Sequence, residues 1–436
     1  MNQGSQIQML AKRWQRPAAL LLLVVLSMHV LWRGVAPAWS AVSSDFPNYF
    51  TAARIVTEGG AVERLYDDSW FQAQLRQDLA GQPGGGPGSG KFSPFPPPTA
   101  LLLVPFVRLG PLGALRAVTL ISILALLGSV VLLSRALRWS LLEAAVFVLL
   151  SGYAVSNTLR FGQPYILVSL ACILGYYAYL KGRPVLAGVC FGIFIPIKYF
   201  PVVIPLYCAF RREWQVVLGS AAAAVAVVLV SIGVLGWQIH AIFLSSVLGD
   251  HLAAHLGAQD PFTAAFQSFD TLLRRLFVYD PVANPHPWRA IPSLQLTGVI
   301  VVKSAILVIA VIALVRLART NTHTTAASLG ILGILPLLLA PATATYHFVL
   351  LWLPVGLTIN YLLRERAPGR AWVVLGCYSL IGFFPYGHVA RFEGHGGLTL
   401  LAYPRLFLLL AMFACCAWFI LTRLQPDEPA LAAHTS

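Results

Sequence analysis

Charge is scarce in this chain, and acidic charge scarcest. Of its 436 residues only 16 are Asp or Glu, against 30 Lys or Arg. Charged residues reach 11%, where soluble domains carry about a quarter, so no long soluble domain can be carved out of the sequence. The basic excess does not point to nucleic acid, because the Lys and Arg residues are scattered between apolar runs and form no continuous stripe. Cysteine is equally uninformative. Cys172, Cys190, Cys208, Cys377, Cys415 and Cys416 all fall inside apolar segments, with no disulfide framework and no metal-ligand spacing. No His-Glu-x-x-His pattern occurs; His251 and His255 stand at i,i+4 beside Asp250 and Asp260, a spacing that fits a polar loop face better than a metal site. No internal repeat is visible, which counts against a transporter built from repeated halves.

What remains is apolar: 58% of the residues are hydrophobic, which makes this a membrane protein. Lys12-Arg13-Trp14-Gln15-Arg16 precedes an apolar run, and Ala36-Pro37-Ala38 resembles a signal-peptide cleavage site. The later topology needs the segment, so it is read as a retained first helix over 17–33. Further apolar segments at 112–134, 139–157, 164–181, 183–195, 197–210, 213–236, 296–315, 326–341, 344–363, 371–386 and 399–421 bring the expectation to about 12 transmembrane helices in an all-α fold. The pair 183–195 and 197–210, split by Pro196, reads as two tilted crossings or a broken hairpin. A single domain over 1–423 is expected, followed by a disordered cytoplasmic tail at 424–436.

Orientation follows from the short turns. With the N-terminus inside, Arg135, Arg138, Lys181, Arg183, Arg211, Arg212, Arg364, Arg366 and Arg370 all fall in inner turns. Both termini are then cytoplasmic, and two long polar loops, 34–98 and 237–294, face out. Within the first, Phe46, Phe50, Ala53 and Val56 mark one face of a helix, and Trp70, Phe71 and Leu75 repeat the spacing. Gly81 to Gly90 reads as a glycine- and proline-rich loop, and 99–107 as a re-entrant or interfacial helix too short to cross.

Several polar groups converge on that outer face. Asp45 is the first carboxylate of the chain. It could cap a helix beginning at Phe46 or Pro47, or it could serve as a catalytic base; the two roles are compatible. Asn157, Arg160, Gln163 and Tyr165 occupy one turn, where the ordinary reading of Gln163 is a simple loop residue. Lys198 sits among apolar residues and either snorkels to the interface or holds a phosphate. His347 lies near the outer end of its segment, as a core histidine or a substrate ligand. Gln267, Ser268, Arg274 and Arg275 lie in the second loop, the arginines as a solvated face or a phosphate contact.

Taken in order, several stretches resemble glycosyltransferase family 87. The resemblance rests on Asp45-Phe46-Pro47-Asn48-Tyr49-Phe50, Leu65-Tyr66-Asp67 and Phe92-Ser93-Pro94-Phe95-Pro96-Pro97-Pro98. It is clearest at Phe161-Gly162-Gln163-Pro164-Tyr165 and Lys198-Tyr199-Phe200-Pro201, and recurs at Phe266-Gln267-Ser268 and Leu272-Leu273-Arg274-Arg275, spanning about 30–360. Two departures stand out: Phe266 replaces the family's usual asparagine, and the stretch ending at His347 keeps one histidine of two. The resemblance implies a GT-C-like enzyme of a bacterial inner membrane. It would move a hexose, mannose above all, from a polyprenyl-phosphate sugar to a lipid or glycan acceptor, with inversion and no cofactor. It implies Asp45 as general base, and Lys198, His347, Gln163, Arg274, Arg275 and Tyr49 as substrate or phosphate ligands. A transporter or flippase for a lipid-linked or anionic solute is the alternative from another class.

Overall fold

The computed structural model describes residues 3–84, 90–252, 260–318, 324–384 and 386–423. Among the described residues the regular structure is helical, with no strand. The expected tail at 424–436, His255 and part of the glycine-rich loop lie outside the described residues.

Each of the twelve apolar segments contains a helix, but they are not twelve equivalent spans. Among the described residues six helices are long and apolar enough to cross a membrane: Arg16–Ser40, Pro97–Leu137, Trp214–Leu235, Pro292–Ala318, Thr345–Arg364 and Pro404–Thr422. The pair Leu141–Leu149 and Tyr153–Arg160, bent by 73° at its break, makes a seventh if it is counted as one broken span, and is otherwise a re-entrant loop. The single span expected at 139–157 is therefore broken within its length. Gly152 takes a positive φ of 47°, which redirects the chain there. Tyr165–Leu180, Phe200–Phe210 and Thr325–Leu339 are shorter apolar helices. Trp214–Leu235 carries an exposed tryptophan at its start and Trp237 just beyond its end, with exposed Leu218, Leu229 and Val234 between. Aromatic ends flanking an exposed apolar face are what a lipid-facing helix requires.

Boundaries shift in three places for identifiable reasons. The first helix does not stop at 33; a π turn, Leu31–Val35, carries it on into Ala36–Ser40, and Pro37, which lacks an N–H for the ladder, stands just beyond that irregular turn. The segment expected at 99–107 is two 3-10 turns, Pro97–Leu101 and Val104–Leu109, leading into the helix Gly110–Leu137. The last helix begins at Pro404, after a separate 3-10 turn Gly396–Ala402.

The chain groups into two compact units. The first contains Met1–Asp260 and Thr345–Leu350; the second contains Pro261–Ala344 and Leu351–Ser436. In the first, the helix Phe46–Thr57 is buried along most of its length. Phe46, Tyr49, Phe50 and Ala53 pack with Leu75, Leu103 and Leu115. Ala52 and Ile55 pack with Leu65, Phe71 and Phe92. Both faces are therefore core, where the sequence pattern suggested a single apolar face. Asp78 locks the helix to its neighbour Asp68–Leu79, accepting from Thr51 at 2.6 Å and pairing with Arg54 at 2.6 Å.

In the second unit, Gln267 is a structural clamp. Its amide nitrogen donates to the Ala264 and Ala402 carbonyls at 2.6 and 2.9 Å, and its oxygen accepts from the Arg405 backbone at 3.0 Å. Ser268 caps the helix Phe269–Phe277 and donates to the Pro341 carbonyl at 2.7 Å. On that helix Asp270 pairs with Lys303 at 2.5 Å.

Candidate active site

The approach to Asp45 is strained. Ser44 takes φ 56°, a left-handed conformation that costs a residue other than glycine about 1–3 kcal/mol and persists only where its surroundings hold it. Asp45 occupies the N-cap position of Phe46–Thr57, but its side chain makes no capping hydrogen bond. Its Oδ2 instead accepts from Gln163 Nε2 at 2.7 Å and from the Tyr346 hydroxyl at 3.0 Å. The capping explanation for this acid therefore fails, and its carboxylate faces a side-chain network.

Gln163 is placed by the turn that precedes it. The helix Tyr153–Arg160 ends, Gly162 turns back with φ 56°, and Gln163 N–H donates to the Thr158 carbonyl at 2.9 Å. A Cβ on Gly162 would lie 2.3 Å from the Phe46 ring. Glycine is thus required twice over, for its φ and for the close approach of this turn to the start of the Asp45 helix. Gln163 is almost fully buried, and its carbonyl oxygen accepts from the Tyr49 hydroxyl at 2.8 Å. The polarity of the amide is forced, since an ionised carboxylate only accepts and must face the NH2 group.

Tyr49 in turn accepts from Lys198 Nζ at 3.1 Å. Burial and the neighbouring Asp45 charge hold the Tyr49 phenol well above its ordinary pKa, so it stays a neutral donor to Gln163. A continuous chain results: Lys198 to Tyr49, Tyr49 to Gln163, Gln163 to Asp45, with Tyr346 closing on the same carboxylate oxygen.

Lys198 sits in the break between the helix Pro184–Gly192 and the 3-10 turn Phe200–Val202, 8% exposed. Its ammonium lies over the rings of Phe95, Tyr165 and Tyr49 at 4.7, 5.1 and 5.5 Å. Among the described residues no carboxylate comes within ion-pairing distance of it. Three aromatic faces and one phenol stabilise a buried cation only in part, so an anion brought beside it would be favoured. Phe95 is held in place by the Tyr66 hydroxyl, which donates to its carbonyl at 2.7 Å. Two stretches singled out in the sequence, around Tyr66 and around Phe95, therefore meet at this cation. His347 is buried beside it, edge-on to Tyr165 at 4.7 Å and against Phe200 at 5.0 Å.

Burial pushes the Asp45 carboxyl above its ordinary pKa, opposed by Tyr346, the Lys198 charge, Gln163 and Ser44. A carboxylate whose pKa is raised in this way is a stronger base than one in water.

Asp45, Tyr49, Gln163, Lys198 and His347 are thus brought together within the first unit. Arg274 and Arg275 belong to the second. Arg275 is buried and committed to protein groups: Nε donates to the Phe262 carbonyl, Nη1 to the Ala283 carbonyl at 2.5 Å, and Nη2 pairs with Glu393 at 3.0 Å. That is the role of a loop anchor, not of the solvated or phosphate-facing arginine expected. Sequence reasoning missed Tyr346 as a partner of Asp45, and Phe95 as part of the cage around Lys198. Both lay in stretches noted for their resemblance, and only the fold shows which residue in each stretch reaches inward. Among the described residues no group of three His, Cys, Asp or Glu side chains is placed to hold a metal ion.

The model of glycosyltransferase family 87 matches residues 94–341, more than half of the chain. The matched region contains Gln163, Lys198, Arg274 and Arg275, and leaves Asp45, Tyr49, Tyr346 and His347 outside it. No curated protein matches the sequence. The chain belongs to glycosyltransferase family 87.

Proposed function

We propose that this family 87 glycosyltransferase moves a hexose, with mannose the expected sugar, from a polyprenyl-phosphate donor to a lipid or glycan hydroxyl at the outer face of a bacterial inner membrane. The observation that carries the reading is the hydrogen-bond chain linking a carboxylate, Asp45, to a buried ammonium, Lys198, that touches no carboxylate directly among the described residues. Glycosyl transfer from a lipid phosphate needs these two charges at opposite ends of the reacting centre. A base must take the acceptor proton, and a cation must meet the negative charge that grows on the leaving phosphate.

In this scheme the acceptor hydroxyl attacks the anomeric carbon and gives its proton to Asp45. The bond from that carbon to the phosphate oxygen breaks, and the electron pair leaves with the phosphate, next to Lys198. A single displacement inverts the anomeric centre. Both distant donors to Asp45 end on Oδ2. Oδ1 is therefore the oxygen assigned to the incoming proton. Gln163 and Tyr49 fix the separation of base and cation, and His347 packs beside the cage where it would orient sugar or phosphate. The GT-C-like arrangement of about 12 spans belongs to the same proposal.

Purified protein mixed with donor and acceptor tests it. Release of free polyprenyl phosphate in step with a product heavier by one hexose is the expected result. Passage of intact donor across vesicles without phosphate release would replace the enzyme with a transporter.

A further inference from the structure

A second basic site stands at the far end of the helix that helps build the first. Tyr165, beside Lys198, opens the helix Tyr165–Leu180, and Tyr179 stands near its other end, about 21 Å away along the axis. There an open cavity of about 460 Å³ is lined by Tyr179 and Pro184 together with Arg212, Glu213, Trp214, Gln215 and Val216. Close helix packing creates it. Cβ atoms on Gly188 and Gly192 would lie 2.2 Å from the Val216 and Ser220 carbonyl oxygens, and the Ser220 hydroxyl donates to the Gly188 carbonyl at 2.9 Å. The helices Pro184–Gly192 and Trp214–Leu235 therefore run backbone against backbone. Their pairing brings the turn holding Lys181 and Arg183 beside the turn holding Arg211 and Arg212.

The charge of this corner is strongly positive. Its one acid, Glu213, already accepts from the Tyr179 hydroxyl at 3.1 Å and lies 3.8 Å from Arg211. Arg212, exposed and held at φ 59°, makes no side-chain hydrogen bond or ion pair among the described residues. Lys181 and Arg183 are exposed on the adjoining turn. Trp214, also exposed, lies at the start of a lipid-facing helix, where an amphipathic ring marks the level of the headgroups.

We propose that this cavity binds the phosphodiester headgroup of an anionic phospholipid, with Arg212 as its principal ligand and Lys181 and Arg183 adding charge. Guanidinium matches a phosphodiester bidentately, and basic pockets between spans select anionic lipids. The acyl chains would run along the exposed apolar face of Trp214–Leu235.

Native mass spectrometry of the full-length protein in detergent, with added phosphatidylglycerol or phosphatidylcholine, tests the assignment. The wild type should retain phosphatidylglycerol in preference. The Lys181→Gln, Arg183→Gln, Arg212→Gln triple variant should bind it on the order of a hundredfold more weakly, about fivefold per charge removed. Hexose transfer in lipid-free detergent should be unchanged, since no changed residue touches the Asp45 network. Arg212→Glu alone, a single exposed change, serves if the triple variant does not fold. Equal retention by wild type and variants, or equal retention of the two lipids, overturns the proposal. Displacement of the lipid by millimolar inorganic phosphate alone would make this a free-phosphate site and overturn the lipid assignment.

Discussion

Replacing Tyr346 by Phe tests how the carboxylate is tuned. The change deletes one of the two distant donors to Asp45 Oδ2, at 3.0 Å, and leaves Gln163 at 2.7 Å. The ring survives, so its stacking on Tyr165 at 5.5 Å and its edge contact with His347 at 4.8 Å are kept. A hydrogen bond to an ionised group contributes about 1.5–3 kcal/mol, and one pKa unit corresponds to about 1.4 kcal/mol. The lost donor favoured the charged form, so its removal raises a carboxyl pKa that burial has already raised. The acid limb of kcat/KM should move up by about one to two pH units, with the alkaline plateau changed only a few-fold. The assay is the initial rate of hexose transfer across the pH range, with thermal unfolding in the same detergent as a folding control. A profile superimposable on the wild type would refute the reasoning. A uniform fall in rate with no shift would leave Tyr346 a packing role only.

Other perturbations probe the rest of the account. Lys198→Met should fill the cage of Phe95 and Tyr165 without unfolding the chain, and lower kcat by about 10²–10³, as the loss of a charge-stabilising donor does. Wild-type turnover in that variant would remove Lys198 from the phosphate role. Arg275→Met should cost stability, not chemistry: removing the guanidinium that pairs with Glu393 and donates to the Phe262 and Ala283 carbonyls lowers unfolding free energy by about 3 kcal/mol. A lower unfolding midpoint with normal kcat at low temperature is the expected pattern, and a selective loss of kcat would return Arg275 to the site.

The sequence carried the all-helical class, the position of nearly every apolar helix, and five residues that the fold gathers into one cluster. Those features are local: apolar runs, basic turns, and short motifs in a fixed order. What it could not carry depends on long-range packing. The break at Gly152 needs a glycine φ, not an apolar count. The dual burial of the helix Phe46–Thr57 needs two partner clusters from distant segments. Tyr346 reaches Asp45 across 301 positions of sequence, and no periodicity marks it. Arg275 looked like a surface charge because its carbonyl partners, Phe262 and Ala283, are backbone groups that no side-chain pattern reveals.

The most direct measurement is hexose transfer by Asp45→Asn. Asparagine keeps the shape and the contact distance of Asp45 but cannot take a proton. With purified, folded protein and a polyprenyl-phosphate hexose, the account predicts a fall in kcat of about 10²–10⁴, with donor binding retained. Transfer by Asp45→Asn at the wild-type rate would contradict it.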